Sequence, residues 1–337
     1  MNVDPRDPFE ERSRACVEAS VGIVGAELAI RSTDQVLLDL ALEAFGNLPK
    51  FATNEIGCDL RIQLSLNECG KSWKEEPPPP VLSSGHGLLS GTIDSGNFVI
   101  VDPENRRAVV SVSRSMLRHP HLVRYELIEL AVLTLVGRAL SLVPLHGASV
   151  GLGDSGLLVV GTSGAGKSTL CLLALVDGLQ VLSEDSVFVN PRDLSVFGLP
   201  NFLHLRHDAL DFLEPGPLRD HVTSSPTIRR RSGIQKFAIN LREQTRWSPP
   251  LRTTLTATVF LCDDLARSKP ALRPLDDPGD VLMRMSEEQP YAVGLPEWSE
   301  FSRAIAAVPC FELSRTDPPS AAIAELRTIL TRSSASR

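Results

Sequence analysis

The nine residues Gly161-Thr162-Ser163-Gly164-Ala165-Gly166-Lys167-Ser168-Thr169 constrain this chain more than any other stretch. They follow the pattern G-x-x-x-x-G-K-[ST]. That spacing suits a loop whose main-chain N–H groups wrap an anion at hydrogen-bonding distance, an approach that only a nearly side-chain-free backbone allows. Gly161, Gly164 and Gly166 supply the freedom. A helix opening directly after the loop adds its first free N–H groups and the positive end of its dipole. Lys167 contributes a point charge beside the outer phosphates, and the Ser168 hydroxyl suits the oxygen shell of Mg²⁺. The flanks agree. Residues 156–160 form a short apolar run with strand character, and residues 170–176 read as a buried helix closed by Gly178. Strand, glycine-rich turn and helix together predict a nucleotide-binding P-loop made of Gly161 to Thr169.

At 337 residues the chain has room for one large or two ordinary domains. Hydrophobic content of 42% with 22% charged residues is that of a globular protein. The net charge of −7 argues against indiscriminate nucleic-acid binding, so nucleic acid is a weak candidate partner. No apolar run reaches the roughly 20 residues that span a bilayer, and the acidic start Met1-Asn2-Val3-Asp4 is unlike a signal peptide. A cytoplasmic protein without a membrane partner is expected. Cysteines 16, 58, 69, 171, 262 and 310 show no C-x-x-C spacing, and reduced, mostly buried thiols are expected rather than a disulfide or zinc framework.

In chain order, residues 36–45 predict a helix that Gly46 can end, and residues 59–66 alternate polar and apolar as a half-buried strand does. Glu75-Glu76 followed by Pro77 to Pro80 reads as a stiff connector that closes an N-terminal α+β region at residue 82. Residues 83–144 predict two strands, 97–101 and 108–112, joined by Asp102-Pro103-Glu104-Asn105, then a long apolar helix over about 122–142 that packs on the P-loop sheet. The core runs over 145–332, and 333–337 reads as a frayed tail. Within the core, residues 180–189 predict one strand with Glu184 and Asp185 in its interior. A buried strand seldom carries two carboxylates without a reason.

Leu145-His146-Gly147-Ala148, an apolar strand, the P-loop, a helix and then Leu182-Ser183-Glu184-Asp185-Ser186-Val187 form an order that resembles the HPr kinase/phosphorylase family of serine kinases. That family is related in fold to phosphoenolpyruvate carboxykinase. The resemblance covers residues 145–189 well and extends more weakly to about 330. The preceding strands and long helix look like those of small kinases from bacterial peptide-tailoring clusters, including lasso-peptide clusters. It implies an α/β core and an ATP- and Mg²⁺-dependent kinase whose partner is a peptide or protein bearing an acceptor serine. Asp185 would be the base that takes the serine proton, Glu184 and Ser168 the metal ligands, and His146 a residue near the phosphates. The family carries an Asp-Asp pair where Glu184-Asp185 stands here.

Cations for the transferred group are sought downstream. Arg206 ends a probable strand, and Lys236 belongs to a basic segment, residues 228–237, that holds four positive charges in an otherwise acidic chain. Such a segment can close over a phosphate or grip an acidic peptide. Residues 255–264 pose an alternative: an apolar strand ending in Asp263-Asp264 also suits the metal-binding strand of a P-loop ATPase. A non-catalytic ATP-binding scaffold and a small-molecule kinase stay open beside these, as does the choice between monomer and homo-oligomer.

Overall fold

The computed structural model describes residues 16–48, 59–68, 70–73, 75–243, 252–262, 272–314 and 319–335. The chain divides into two units, residues 1–140 and 141–337. Both combine helices with multi-stranded sheets, an α/β architecture.

The first unit is built on strands β1 (Val17–Ile23), β2 (Ala26–Ser32), β3 (Asp59–Asn67), β4 (Val81–Gly85), β5 (Leu88–Asp94), β6 (Asn97–Asp102) and β7 (Arg107–Ser113), in the order β1-β2-β3-β7-β6-β5-β4. The parallel neighbours β2 and β3 need a crossover, and helix α1 (Gln35–Phe45) lies on that stretch of chain. Asp34 starts α1 by accepting from the Val36 N–H at 2.8 Å, and the Gly46 N–H closes it on the Leu42 carbonyl at 2.7 Å. The expected alternation of β3 is real: Leu60, Ile62, Leu64 and Leu66 are buried while the residues between them face outward. The turn between β6 and β7 also forms, with the Asp102 carboxylate accepting from Asn105 and Arg107.

Three expectations are corrected here. The long apolar helix is a composite of α2 (Pro120–Leu122), a π-helical turn (Val123–Glu129) and α3 (Leu130–Ala139). Within its own unit α3 packs on β3, β6 and β7, and buried Arg124 ties the π-helical turn to Glu43 of α1. Strand β4 runs through position 82, where the connector was expected to end a region. At the C-terminus, helical structure continues to Ala335, into the expected tail.

The second unit holds β8 (Val143–His146), β9 (Ala148–Leu152), β10 (Ser155–Val160), β11 (Gln180–Ser183), β12 (Ser186–Val189), β13 (Ser195–Gly198), β17 (Arg252–Cys262), β18 (Leu272–Pro274) and β19 (Cys310–Ser314) in one sheet. A smaller sheet has the order β14 (Phe202–Leu205), β16 (Gln235–Asn240), β15 (Thr227–Arg229). The central strand β10 runs parallel to β17, which in turn is parallel to β19. Every residue of β10 is buried, as a strand covered on both faces requires. Leu157 and Val159 join α4 (Lys167–Val176), α9 (Ser320–Ala335) and the small sheet in one core. Leu158 and Val160 face the other way, into a core with α6 (Pro278–Glu288), α7 (Pro290–Val293) and α8 (Trp298–Ile305). A further helix, α5 (Pro217–Ser224), packs on β16.

The predicted continuous strand over 180–189 is broken. β11 pairs with β9 and β12 pairs with β8, so the strand changes partners across Glu184-Asp185 while β8 and β9 part at Gly147. The Gly147 N–H donates to the Asp185 carbonyl at 3.2 Å. A Cβ at Gly147 would stand 2.9 Å from the Val159 carbonyl oxygen, so the close approach at this seam depends on glycine. The two acids therefore sit at a step between strands, not in the interior of one.

Free Cys171 and Cys310 are buried, and burial pushes both thiols up, Cys310 to about 11. No helix among the described residues is long and apolar enough to cross a membrane.

Candidate active site

The loop from Gly161 to Gly166 joins the end of β10 to the start of α4, as the sequence predicts. Gly164 and Gly166 adopt φ of 94° and 101°, a left-handed conformation that L side chains resist. Gly166 is also the residue from which α4 starts, so the loop leads straight into a helix N-terminus. Lys167, in the first turn of α4, is buried and donates through Nζ to the carbonyl oxygens of Gly161 and, at 3.3 Å, Thr162. Burial pulls its ammonium below the usual value, and the carboxylates of Asp185, Glu288 and Glu184 pull it back.

Ser168, one residue on, donates its hydroxyl to Oε1 of Glu184. Glu184 is 5% exposed, and its other oxygen lies 3.4 Å from Nδ1 of His204, itself 5% exposed, on β14. One hydroxyl and one buried carboxylate therefore meet beside the loop. This oxygen pair fits Mg²⁺, which keeps several waters and takes most of its remaining ligands from substrate phosphate. No group of three or more metal-binding side chains occurs among the described residues.

Asp185, unlike Glu184, is 42% exposed. Its Oδ1 accepts from His146 Nδ1 at 3.0 Å, and its Oδ2 lies 3.9 Å from Arg230 Nη2. Desolvation raises the carboxyl, but the His146 hydrogen bond and the charges of His146, Arg230 and His204 outweigh it and hold Asp185 well below the usual carboxylate range. The carboxylate is thus ionised at neutral pH and exposed enough to meet a hydroxyl. His146 is held through its main chain: its N–H donates to Gln289 Oε1 at 2.7 Å, and Gln289 Nε2 donates back to its carbonyl at 2.9 Å. Gln289 is buried between α6 and α7.

His146, Lys167, Ser168, Glu184 and Asp185 thus converge. Arg206 pairs with Asp208 at 3.4 Å, and Lys236 stands opposite Ile228 in the small sheet. The cation beside Asp185 is Arg230, from the same basic segment, whose β15–β16 turn is closed by Gly233 N–H on the Arg230 carbonyl at 2.8 Å. Sequence signals for His204 and Gln289 were weaker still, one lying in a plain apolar strand and the other between two helices. Asp263 lies outside the described residues.

No family model matches the chain, and no curated protein matches it. Among solved structures it is similar to the HPr(Ser) kinase/phosphatase from Coxiella burnetii, at 11% identity over 55% of this chain and 94% of that one, with a TM-score of 0.29.

Proposed function

We propose that this chain is an ATP-dependent kinase that transfers the γ-phosphoryl group to a serine hydroxyl of a peptide or small protein. The observation that carries the reading is an ionised, accessible Asp185 beside a glycine-rich loop, flanked by His146 at 3.0 Å and Arg230 at 3.9 Å, with Ser168 and Glu184 paired next to it. Phosphoryl transfer needs little covalent chemistry from the protein beyond alignment and charge neutralisation. In this reading the loop N–H groups and Lys167 hold the phosphates. Ser168 and Glu184 would hold Mg²⁺, which would supply charge neutralisation. Asp185 accepts the serine proton as the serine O–P bond forms and the bond from the γ-phosphorus to the ADP oxygen breaks. Arg230 faces the transferred charge, and His146 orients the base. The order of motifs that resembles the HPr kinases supports the same assignment, including a precursor peptide of the lasso type as acceptor.

A second reading has one observation in its favour. β17 runs parallel beside β10 with Val160 opposite Phe260, so a second apolar strand stands beside the strand that leads into the loop, as the ATPase reading requires. Incubation with γ-labelled ATP, Mg²⁺ and serine peptides separates the two. Label on a peptide serine, lost in Asp185→Asn and kept in Asp263→Asn, supports the kinase. Phosphate release without a labelled acceptor, lost only in Asp263→Asn, replaces it with the ATPase.

A further inference from the structure

A cleft of about 540 Å³ opens between the start of the 3-10 turn after β14 and the β15–β16 hairpin. Its size is that of ligand sites, which run to roughly 300–1,000 Å³. Arg206 and His207 line one wall, and Arg229, Ile234 and Gln235 the other. The His207 ring is braced on Phe237, with centroids 4.4 Å apart. Ile234 is 41% exposed and gives the cleft an apolar edge. The lining carries two guanidinium groups against one carboxylate, Asp208, whose pair with Arg206 is solvent-exposed on both sides and weak enough to exchange. A protein with a net charge of −7 here concentrates the opposite sign.

Both walls lead to the candidate active site. His204, two residues before Arg206 on the same extended segment, reaches Glu184, and Arg230, next to Arg229, reaches Asp185. A chain lying in the cleft therefore lies next to the proposed base. The cleft takes an anion by planar, two-pronged donors, which match carboxylates, and tolerates an apolar neighbour on Ile234.

We propose that the cleft binds the acceptor peptide through acidic side chains flanking its serine. The role as acceptor subsite rests on the kinase reading above, whereas binding itself does not.

The test uses two short fluorescein-labelled peptides with one serine each, flanked by glutamates in one and by glutamines in the other, titrated with the full chain by anisotropy. The glutamate peptide is expected to bind at least about tenfold more tightly, since hydrogen bonds to charged partners are worth that much. Arg206→Gln/Arg229→Gln should erase the preference, and Arg229→Glu should shift it toward a lysine-flanked peptide. Melting curves check that the variants fold. Equal binding of the two peptides, or a preference that survives the double substitution, overturns the proposal. So does a single-stranded DNA oligomer that displaces the glutamate peptide at equal concentration, which would make the cleft a phosphodiester site. With labelled ATP, binding preference without phosphate transfer sinks the kinase reading and keeps the cleft. Equal transfer to both peptides, with equal affinity, does the reverse.

Discussion

The two large sheets of this protein solve different problems. In the first unit β3 alternates strictly, its buried leucines and isoleucine facing the helices and its polar residues facing away, and the strands end in local turns such as Asp102 to Arg106. In the second unit β10 is buried throughout, because α4 and α9 cover one face and α6 to α8 the other. A strand buried on both faces, as β10 is, has no room for ionised side chains along its length. Polar groups gather where strand pairing is interrupted: at the end of β10, at Gly147, and at the step from β11 to β12. The lesson is that chemistry concentrates at breaks in an otherwise apolar sheet, whereas uninterrupted alternation builds stability.

One substitution in each sheet sharpens that contrast. Asp185→Asn, at the break, is expected to lower kcat for peptide phosphorylation by about 10²–10⁴-fold, the usual worth of a positioned base, with a loss of stability smaller than that of an emptied core site. Leu64→Ala, in the alternating strand, is expected to do the opposite: a loss of about 2–5 kcal/mol in unfolding free energy for an emptied leucine site, with kcat retained below the transition. If Asp185→Asn destabilised the fold as much as Leu64→Ala, the separation of roles between the sheets would collapse.

Gln289→Leu strips His146 of both main-chain partners. Unpaired groups of this kind cost about 1–3 kcal/mol, so a lower melting point is expected, together with a drop in kcat larger than any rise in KM for ATP. A change confined to stability would show that the clamp holds the fold alone.

The pH profile probes the same break. Asp185 is depressed in the folded protein, so its contribution to stability is present above the unfolded carboxylate value of about 3.9 and is lost only as pH falls through the lower folded one. The wild type should show no acidic limb from this carboxylate in kcat/KM above pH 5. In His146→Ala the hydrogen bond and one charge disappear while burial and the charges of Arg230 and His204 remain, so the acidic limb should move upward. An unmoved profile would remove His146 from the site. The smallest effect is expected in the first unit, where Asp34→Ala removes the cap on α1 for about 1 kcal/mol of stability and leaves phosphorylation unaltered.

What could be read without coordinates was local. Gly164 and Gly166 announce a loop because no other residue adopts their conformation cheaply, and β3, α1 and the turn at Asp102 announce themselves because their periodicity and capping residues act within a few positions. The strand at 180–189 misled because an apolar run with two acids looks the same whether or not it changes partners midway, and pairing is a property of two segments. The helix around 122–142 shows a related limit: its apolar surface tells that something covers it and is silent on the π-helical turn at Val123–Glu129.

The amino-acid sequence alone therefore determined the strand, loop and helix around Lys167, the acid pair, and the basic segment, each a short-range pattern of residue types. Only the tertiary structure decided that Arg230 and not Arg206 or Lys236 stands by Asp185, that His204 shares Glu184 with Ser168, and that Gln289 holds His146 from 143 residues away. Contacts across such separations depend on how sheets pair and helices pack, and composition or spacing along the chain carries no record of them.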